Sequence, residues 1–509
     1  MKILVTGSTG YIAQRLLPVL LENGHELVCI SRDASRFDKS KYSHPGRIQV
    51  VEADLLDATS LSFPQDIDAA YYLVHSMSAK GGFSSLEEQS ANNFVQAIQT
   101  TNAKQVIYLS GIINDKELST HLSSRKKVEE ILSAGKVPVT TLRAGIIVGS
   151  GSASFEIIRD LVEKLPVMVA PKWLYTKCQP VAIRNVIEFL SRILGKEFSY
   201  GQHYDIYGPD ILTYKQMLLQ FAEVRGLKRS ILTVPVMTPK LSSYWLYFVT
   251  STSYSLARNL VESMKIDVVA TPNDLKDRLG ITLIPYKEAI RIAFDKIEQN
   301  MVLSTWKDAV GGPSVNRISQ HVQVPTFGVF TDKKKAATKD PEQALNRIFA
   351  IGGQSGWYYA DWLWSFRGFL DKLFGGVGLK RGRKNPVKIA AGESLDFWRV
   401  IYADRKEQRL LLYAEMKLPG EAWLEFTVKG NEITLDSPIP HTIRPEYTEA
   451  YVETYRQPGR LTNVAIEDMD AVGEFVEGSI RRGTWQFLSL ENVQDAWVHN
   501  MIADDFGGG

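Results

Sequence analysis

A short glycine-rich turn near the N-terminus constrains this chain more than any other feature. The apolar run Ile3 to Val5 predicts a buried parallel strand, and a leucine-rich amphipathic helix follows the turn. Between them, Gly7, Gly10 and Ala13 are spaced three residues apart. This spacing suits a tight turn, close approach of a pyrophosphate to the backbone, and close packing of helix on strand. With a helix N-terminus behind it, the turn predicts a dinucleotide phosphate site formed by Gly7, Ser8, Thr9, Gly10, Tyr11, Ile12 and Ala13.

The end of the second predicted strand bears on which dinucleotide binds. The strand Glu26 to Ser31 is followed by Arg32. At this position an acid selects a ribose hydroxyl and an arginine selects a 2′-phosphate. Arg32, with Arg36 nearby, therefore favours NADP (NADPH) over NAD. A solvated strand-end arginine is the alternative, and the neighbouring Asp33 keeps both interpretations open.

Further predicted strands place candidate cofactor residues at the same edge of the sheet. These strands are Ile48 to Ala53, Ala69 to Val74 and Val106 to Leu109. Asp54 and Leu55 follow the first and are expected at the adenine, while Val74 and His75 lie at the end of the second. Ser110 follows the third. Five strands with interposed helical segments predict an α/β fold, a Rossmann-type doubly wound parallel sheet.

Several motifs of this region resemble one protein family. The segments are TGSTGYIA, SRD, EADL, YYLVHSM, VIYLSG and LRAGIIVG. In this order and spacing they are similar to the atypical, extended short-chain dehydrogenases/reductases (SDR), in their NAD(P)H-binding, NmrA-like branch. The later segments SGSASFEIIRDLVEKLPVM and CQPVAIRNV resemble a subgroup with a C-terminal domain of unknown function, of the DUF2867 type. The resemblance covers roughly Met1 to Val428 and implies an NADP-dependent oxidoreductase.

The catalytic pair of that family is altered in this chain. Typical members carry Tyr-x-x-x-Lys on the helix after the fifth strand, where the tyrosine donates a proton to the substrate oxygen and the lysine holds the nicotinamide ribose. Here the helix reads HLSSRKKVEEIL, which places His121 and Arg125 at those positions. The resemblance implies that Ser110 polarises a substrate carbonyl, that His121 donates the proton and that Arg125 holds the ribose. A helix-end histidine and a strand-end serine without chemical roles stay open as alternatives.

Residues 1–300 are predicted to form the NAD(P)-binding domain together with a substrate lobe. The lobe would include helices from Phe155 to Leu165, capped by Ser154, and from Tyr214 to Arg225. Ligands bind at the carboxyl ends of the strands in such sheets, so the lobe is expected there. A linker, 301–320, follows and contains Gly311 to Pro313.

Residues 321–429 are predicted to form a second domain. Val322 to Pro325 indicates an edge-like strand, Lys333 to Lys335 a solvated loop, and Asp340 a helix cap. Strand patterns follow at Leu395 to Tyr402, Arg409 to Lys417 and Ala422 to Val428. These segments resemble the α+β helix-grip, START-like fold, in which an antiparallel sheet wraps a long helix around a hydrophobic cavity. The resemblance implies an apolar small-molecule ligand.

Residues 430–509 differ in character, with fourteen Asp and Glu against five Arg and no Lys. This acidic segment either completes the second domain, with Ser489 to Asp505 as its closing helix, or is a divergent tail.

Two apolar stretches test for membrane contact. Leu241 to Ala257 has no charged residue but is shorter than the ~20 residues of a spanning helix, so we expect a buried or substrate-covering helix, with an interfacial membrane contact as the less favoured alternative. Gly352 to Gly376 crowds Trp357, Trp362 and Trp364 into one helical segment, for which an aromatic core helix is favoured over a membrane surface. The basic run Lys380 to Lys384 is interpreted as a turn, since no nucleic-acid-binding motif accompanies it.

Composition excludes other classes of function. A net charge of +2 demands no acidic partner, and the 8 His and 2 Cys show no metal-ligand spacing. Cys29 and Cys178 indicate a reducing compartment, and the first strand leaves no room for a signal peptide, so a cytoplasmic protein is expected. The sequence thus predicts an NADP-dependent reductase of an apolar carbonyl or enone. A non-catalytic NADP(H)-binding sensor or assembly protein is the alternative.

Overall fold

The computed structural model describes residues 1–34, 37–74, 83–113, 120–234, 264–298, 329–352, 355–358, 361–373, 389–416, 421–430, 432–440, 461–462, 465–472, 493–494 and 497–504. The chain divides into two compact units, residues 1–324 with 332–437 and residues 325–331 with 438–509. Several segments interpreted from the sequence lie outside the described residues, namely Arg36, His75, Leu241–Ala257, Gly311–Pro313, Val322–Pro325 and Lys380–Lys384.

The N-terminal part is built on a parallel sheet. Its strands are β1 (Lys2–Val5), β2 (Glu26–Ser31), β3 (Ile48–Glu52), β4 (Ala69–Tyr72), β5 (Gln105–Gly111), β6 (Val139–Ala144), β7 (Ile147–Val148), β8 (Val167–Pro171), β9 (Lys177–Cys178), β10 (Val181–Ala182), β11 (His203–Ile206), β12 (Leu212–Thr213) and β13 (Ser230–Val234). Seven of them form one sheet of order β11-β6-β5-β4-β1-β2-β3, with parallel neighbours. The order reverses between β1 and β4, so the predicted doubly wound Rossmann-type sheet is confirmed.

The described helices of this part are α1 (Ala13–Glu22), α2 (Phe83–Ile98), α3 (Thr120–Ser133), α4 (Ala153–Lys164), α5 (Ile183–Arg192), α6 (Tyr214–Val224), α7 (Leu275–Arg278) and α8 (Tyr286–Glu298). Of these, α1 and α5 pack on one face of the sheet and α2 and α3 on the other. Because successive strand residues point to opposite faces, Ile3 and Val5 enter the core under α1 and α5, whereas Leu4 enters the core under α2 and α3. The apolar run at the N-terminus is thus buried on both sides.

The predicted substrate lobe forms a separate core. Phe155 of α4, Phe221 of α6 and Phe294 of α8 pack with ring centroids 5.4 to 5.5 Å apart. The predicted cap of α4 is wrong, because the helix begins at Ala153 and Ser152 accepts the hydrogen bond from the Phe155 N–H. Ser154 therefore lies inside the first turn, where it cannot occupy the cap position.

The second sheet follows in the chain. Its strands are β14 (Val329–Ala337), β15 (Ser394–Leu395), β16 (Trp398–Asp404), β17 (Arg409–Ala414), β18 (Trp423–Lys429) and β19 (Glu432–Pro440). Their order is β14-β19-β18-β17-β16-β15, and the neighbours from β15 to β19 are antiparallel. The lysines 333–335 are exposed as predicted but lie in β14 rather than in a loop. Pairing through the backbone lets this edge strand keep its lysines in solvent.

Two helices accompany the second sheet, α9 (Pro341–Ile348) and α10 (Asp361–Leu373). The predicted cap of α9 is confirmed, since Asp340 accepts a hydrogen bond from the Gln343 N–H. Trp357 precedes α10 and packs with Trp364, Phe397 and Trp398 in the core. The prediction of one aromatic core helix is wrong for Trp362, which is 71% exposed. The helix-grip arrangement stays a prediction.

The acidic C-terminal segment, residues 430–509, contains five described strands, of which β19 belongs to the second sheet. The other four lie further along the chain. They are β20 (Leu461–Thr462), β21 (Ala465–Val472), β22 (Val493–Gln494) and β23 (Trp497–Asp504). The predicted closing helix is wrong, because residues 497–504 pair in parallel with β21 instead. Backbone partners on a neighbouring strand outweigh a helical apolar spacing here. Nowhere in the described ranges is there a helix with the length and apolar character needed to cross a membrane.

Candidate functional site

The glycine turn lies between β1 and α1, where the sheet order reverses. Gly7 has a φ of +63°, and a Cβ there would stand 2.8 Å from the Leu73 carbonyl oxygen. The N–H of Gly10 donates to the Gly7 carbonyl at 2.8 Å, which closes the turn. Gly7 therefore has the left-handed conformation predicted for a tight turn. The role of Gly10 at the pyrophosphate stays a prediction.

The N-terminus of α1 offers donors that the protein itself does not use. Ile12 precedes the helix without a side-chain cap, and its first turn contains no acid. Among the described residues, the N–H groups of Ser8, Thr9, Ile12 and Ala13 have no hydrogen-bond acceptor. Such an uncapped terminus attracts an anion through its donors and its dipole. The turn thus fits the pyrophosphate of a dinucleotide.

The side chains of the turn fix it to neighbouring parts of the protein. Ser8 is fully buried and donates from Oγ to the Ile30 carbonyl of β2 at 2.8 Å, so its hydroxyl is used within the protein. Ala13 is buried against the sheet, as the small-residue prediction requires. Tyr11 is held by the loop after β7, where its hydroxyl donates to the Ser150 carbonyl at 3.3 Å. Burial raises the pKa of Tyr11 to about 12, so its phenol is neutral near pH 7.

The end of β2 presents Arg32 as a partly exposed cation. None of the hydrogen bonds or ion pairs found between described residues involves Arg32. Asp33, in contrast, is buried, and its backbone N–H and carbonyl both bond to the Ser31 hydroxyl. The guanidinium of Arg32 is thus accessible to a ligand, whereas Asp33 is buried.

The ends of β3 and β4 place the remaining cofactor candidates at the same edge. The Asp54 carboxylate accepts from the Leu56 N–H at 3.0 Å, and Leu55 is buried with its carbonyl bonded to Asn93. Val74 follows β4 and packs on the core beneath α2. These residues therefore lie just beyond the ends of β3 and β4. His75 lies outside the described residues.

Two of the three predicted catalytic residues, Ser110 and Arg125, have described side chains at the end of β5. Ser110 lies within β5, and its buried Oγ makes no hydrogen bond of good geometry with any described residue. From α3, Arg125 donates to the Leu109 carbonyl at 2.8 Å, while its buried Nε also lacks a partner in the described part of the chain. His121 lies one turn earlier on α3, and its side chain is outside what the structure describes. Ser110 and Arg125 are therefore brought together as predicted.

Tyr108 is the polar neighbour of this pair. It donates to the Arg125 carbonyl at 3.4 Å from the same strand that carries Ser110. Burial raises the pKa of Tyr108, and the Arg125 charge and the Ser110 hydroxyl act in the opposite direction. The phenol is thus a neutral donor rather than a base.

The site also contains an ion pair, between Arg143 and Glu129, that was not predicted from the sequence. Arg143 of β6 stands beside Ser110 in the strand register and forms a bidentate ion pair with Glu129 of α3, at 3.1 and 2.7 Å. Two parallel hydrogen bonds between planar groups hold an orientation well. Arg143 is the only charged residue of the strand Val139–Ala144, and this was the signal that could have revealed the ion pair.

Comparisons with known proteins agree with the glycine turn. Residues 7–159 match the family model described as NAD(P)H-binding, and residues 328–462 match a protein family of unknown function, DUF2867. No curated protein matches the chain.

Solved structures similar to this chain include sugar-nucleotide epimerases. A nucleoside-diphosphate-sugar epimerase from Staphylococcus aureus is 13% identical, covers 57% of this chain and 100% of its own, and has a TM-score of 0.46. UDP-glucuronic acid 4-epimerase from Bacillus cereus, with UDP-glucuronic acid and NAD, is 16% identical, covers 59% and 99%, and has a TM-score of 0.44. The enzyme WbmG from Bordetella bronchiseptica, with NAD, is 14% identical, covers 60% and 96%, and has a TM-score of 0.45. By its family matches, the chain carries an N-terminal NAD(P)H-binding domain followed by a domain of the DUF2867 family.

Proposed function

We propose that the protein is an NADPH-dependent reductase of an apolar carbonyl or enone. The observation that carries the proposal is a pair of buried polar atoms near the end of β5, Ser110 Oγ and Arg125 Nε, to which no described residue forms a hydrogen bond. A buried donor without a partner costs free energy of about 1–3 kcal/mol unless a ligand satisfies it. The carboxyl edge of a doubly wound sheet is where such a ligand binds.

Each residue has a proposed role. The dinucleotide lies along the N–H groups of the glycine turn and supplies a hydride to the substrate carbon. Ser110 donates a hydrogen bond to the carbonyl oxygen. His121 then donates a proton to this oxygen, which gives an alcohol from a carbonyl substrate or an enol from an enone. Arg125 holds the nicotinamide ribose with the part of its guanidinium that does not bond to Leu109.

The choice of NADP rests on Arg32. Its guanidinium is accessible and has no ion pair among the described residues, whereas the neighbouring carboxylate of Asp33 is buried. A 2′-phosphate can accept two parallel hydrogen bonds from such a group.

The apolar character of the substrate is supported by the lobe. On the paired strands β8 and β13, the side chains of Val167, Val169 and Leu232 are all exposed. The second domain is proposed to bind an apolar small molecule as well. A cavity of about 270 Å³ there is lined partly by Ile348, Ile351 and Phe426. A cytoplasmic location is proposed from the free, buried thiols of Cys29 and Cys178.

The test is hydride transfer itself. NADPH oxidation is followed with a panel of apolar aldehydes, ketones and enones, in the parent and in Ser110→Ala. Turnover by the parent and a loss of about tenfold or more in the variant are expected, because one neutral hydrogen bond to a developing oxyanion is removed. NADPH binding without turnover of any member of the panel would contradict the reductase.

A non-catalytic NADP(H)-binding sensor is the second candidate. The observation that favours it is the Arg125 hydrogen bond to the Leu109 carbonyl, which gives this residue a structural use. A permanently charged arginine also cannot relay a proton. In that case NADPH would bind with the same Arg32 dependence, and Ser110→Ala would change nothing measurable.

A further inference from the structure

Helix α10 exposes its apolar side, whereas an ordinary surface helix buries it. At about 100° per residue, five large apolar residues fall within an arc of about 120°, namely Trp362, Leu363, Phe366, Phe369 and Leu370. These five side chains are between 37% and 71% exposed. The opposite side, which faces the domain core, carries Trp364, Gly368 and Asp371, of which the last two are buried. A globular protein normally buries the apolar face instead.

The charges near this face are of one sign. The Asp361 carboxylate is directed back to the domain, where it accepts from the Trp357 N–H at 2.8 Å, and Asp371 is buried. Arg367 is exposed beside the apolar arc. Residues 372–388, which begin within α10, contain six Lys and Arg and no Asp or Glu. An apolar face that is followed in the sequence by concentrated positive charge fits a partner that is apolar inside and anionic at its surface.

We propose that α10 lies on an anionic lipid membrane, with Trp362, Phe366 and Phe369 inserted at the boundary between headgroups and acyl chains. Helices that present Trp, Phe and Leu beside cations bind membranes in this way. Basic residues next to the helix add attraction to anionic lipids. The 13 residues of α10 are too few to span a bilayer, so the contact is peripheral.

The experiment uses the full chain and two kinds of vesicle. One contains equal parts phosphatidylcholine and phosphatidylglycerol, and the other contains phosphatidylcholine alone. In co-sedimentation, the parent is expected to bind the anionic vesicles at least about tenfold more tightly than the neutral ones, and added salt should weaken this binding. Trp362→Phe should keep the binding but reduce the blue shift of tryptophan fluorescence that accompanies it.

The variant Trp362→Ser/Phe366→Ser removes the centre of the apolar arc. Its affinity for anionic vesicles should fall at least about tenfold, because two aromatic side chains no longer leave water. Ile211→Ser is the matched control. Ile211 is also about half exposed, but it lies on the lobe of the N-terminal part and not on α10. It should bind vesicles as the parent does, and both variants should keep the parent's melting temperature.

Several results would overturn the membrane contact. The parent could bind neither kind of vesicle, or bind both kinds equally. The double variant could also bind the anionic vesicles as tightly as the parent does. A lowered melting temperature of the double variant without vesicle binding by the parent would mean that another segment of this chain covers the face. Self-association of the parent that the double variant loses, again without vesicle binding, would assign the face to a second copy.

Discussion

Arg125 donates a hydrogen bond of 2.8 Å to the carbonyl oxygen of Leu109, the residue directly before Ser110. One turn further along α3, Glu129 pairs with Arg143 of β6. Helix α3 is therefore fastened to two neighbouring strands by side chains one turn apart. Because His121 lies one turn before Arg125, this double attachment also sets its backbone position relative to the end of β5.

Replacing Arg32 should change which dinucleotide binds. The parent is expected to bind NADPH more tightly than NADH, and Arg32→Ala should lower the NADPH affinity about tenfold or more while leaving NADH nearly unchanged. The reason is the loss of a charge-assisted contact to the 2′-phosphate. Titration calorimetry with both dinucleotides measures the ratio, and Arg47→Ala, an exposed arginine near β3, is the control. Equal affinities in the parent, or an unaltered ratio in Arg32→Ala, would exclude this role.

The two glycines of the turn should fail in different ways. Gly7→Ala should lower the free energy of unfolding by about 1–3 kcal/mol, because its φ is +63° and the new Cβ would meet the Leu73 carbonyl at 2.8 Å. Gly10→Val should instead weaken NADPH binding at least about tenfold beyond any effect of lost stability, since its branched side chain would stand over the phosphate donors. Denaturant unfolding and calorimetry of both variants separate the effects. If affinity in Gly10→Val falls only in step with stability, Gly10 has no role at the phosphate.

His121 and Arg125 should separate chemistry from binding. His121→Ala should lower the turnover number by about 10²-fold or more, because general acids contribute about 10² to 10⁴, while NADPH affinity stays the same. Arg125→Ala should weaken NADPH binding itself, and Arg125→Lys should recover part of it because it keeps the charge. Steady-state kinetics and calorimetry give both quantities. Unchanged turnover in His121→Ala would favour the sensor, as would new activity on introducing tyrosine and lysine at positions 121 and 125.

A buried ion pair should hold the second sheet together. Arg399 of β16 and Glu415 are 3% and 13% exposed, and two of the guanidinium nitrogens bond the carboxylate while a third donates to the Gly392 carbonyl. Arg399→Met should cost about 3–5 kcal/mol of unfolding free energy, because Glu415 keeps a buried charge without its partner. Arg409→Met is the matched control, since its pair with Glu425 is 28% and 20% exposed and should cost less. Similar losses in both variants, by denaturant unfolding, would contradict the argument from burial.

Local pattern was sufficient for much of the N-terminal half. The order of strands and helices, the glycine turn and the buried leucine face of α1 were all predicted, because chain direction, side-chain period and glycine conformation act over a few residues. Ser110 and Arg125 were named as candidates through the family resemblance, and the structure places Arg125 against the Leu109 carbonyl beside Ser110. The position of the α4 cap was wrong by two residues, because several small polar residues in a row can all serve as caps.

What the sequence by itself determined was therefore the fold class, the NAD(P)H-binding domain with its glycine turn, and the strand edge at which the candidate site residues lie. The tertiary structure alone decided that Arg143 pairs with Glu129, that the lysines 333–335 lie in an edge strand, and that Trp362 is exposed while Trp364 packs against the core. The physical reason is that these outcomes depend on partners distant in the chain. An apolar pattern states that a helix has a face to cover, but only packing determines which face the rest of the molecule covers.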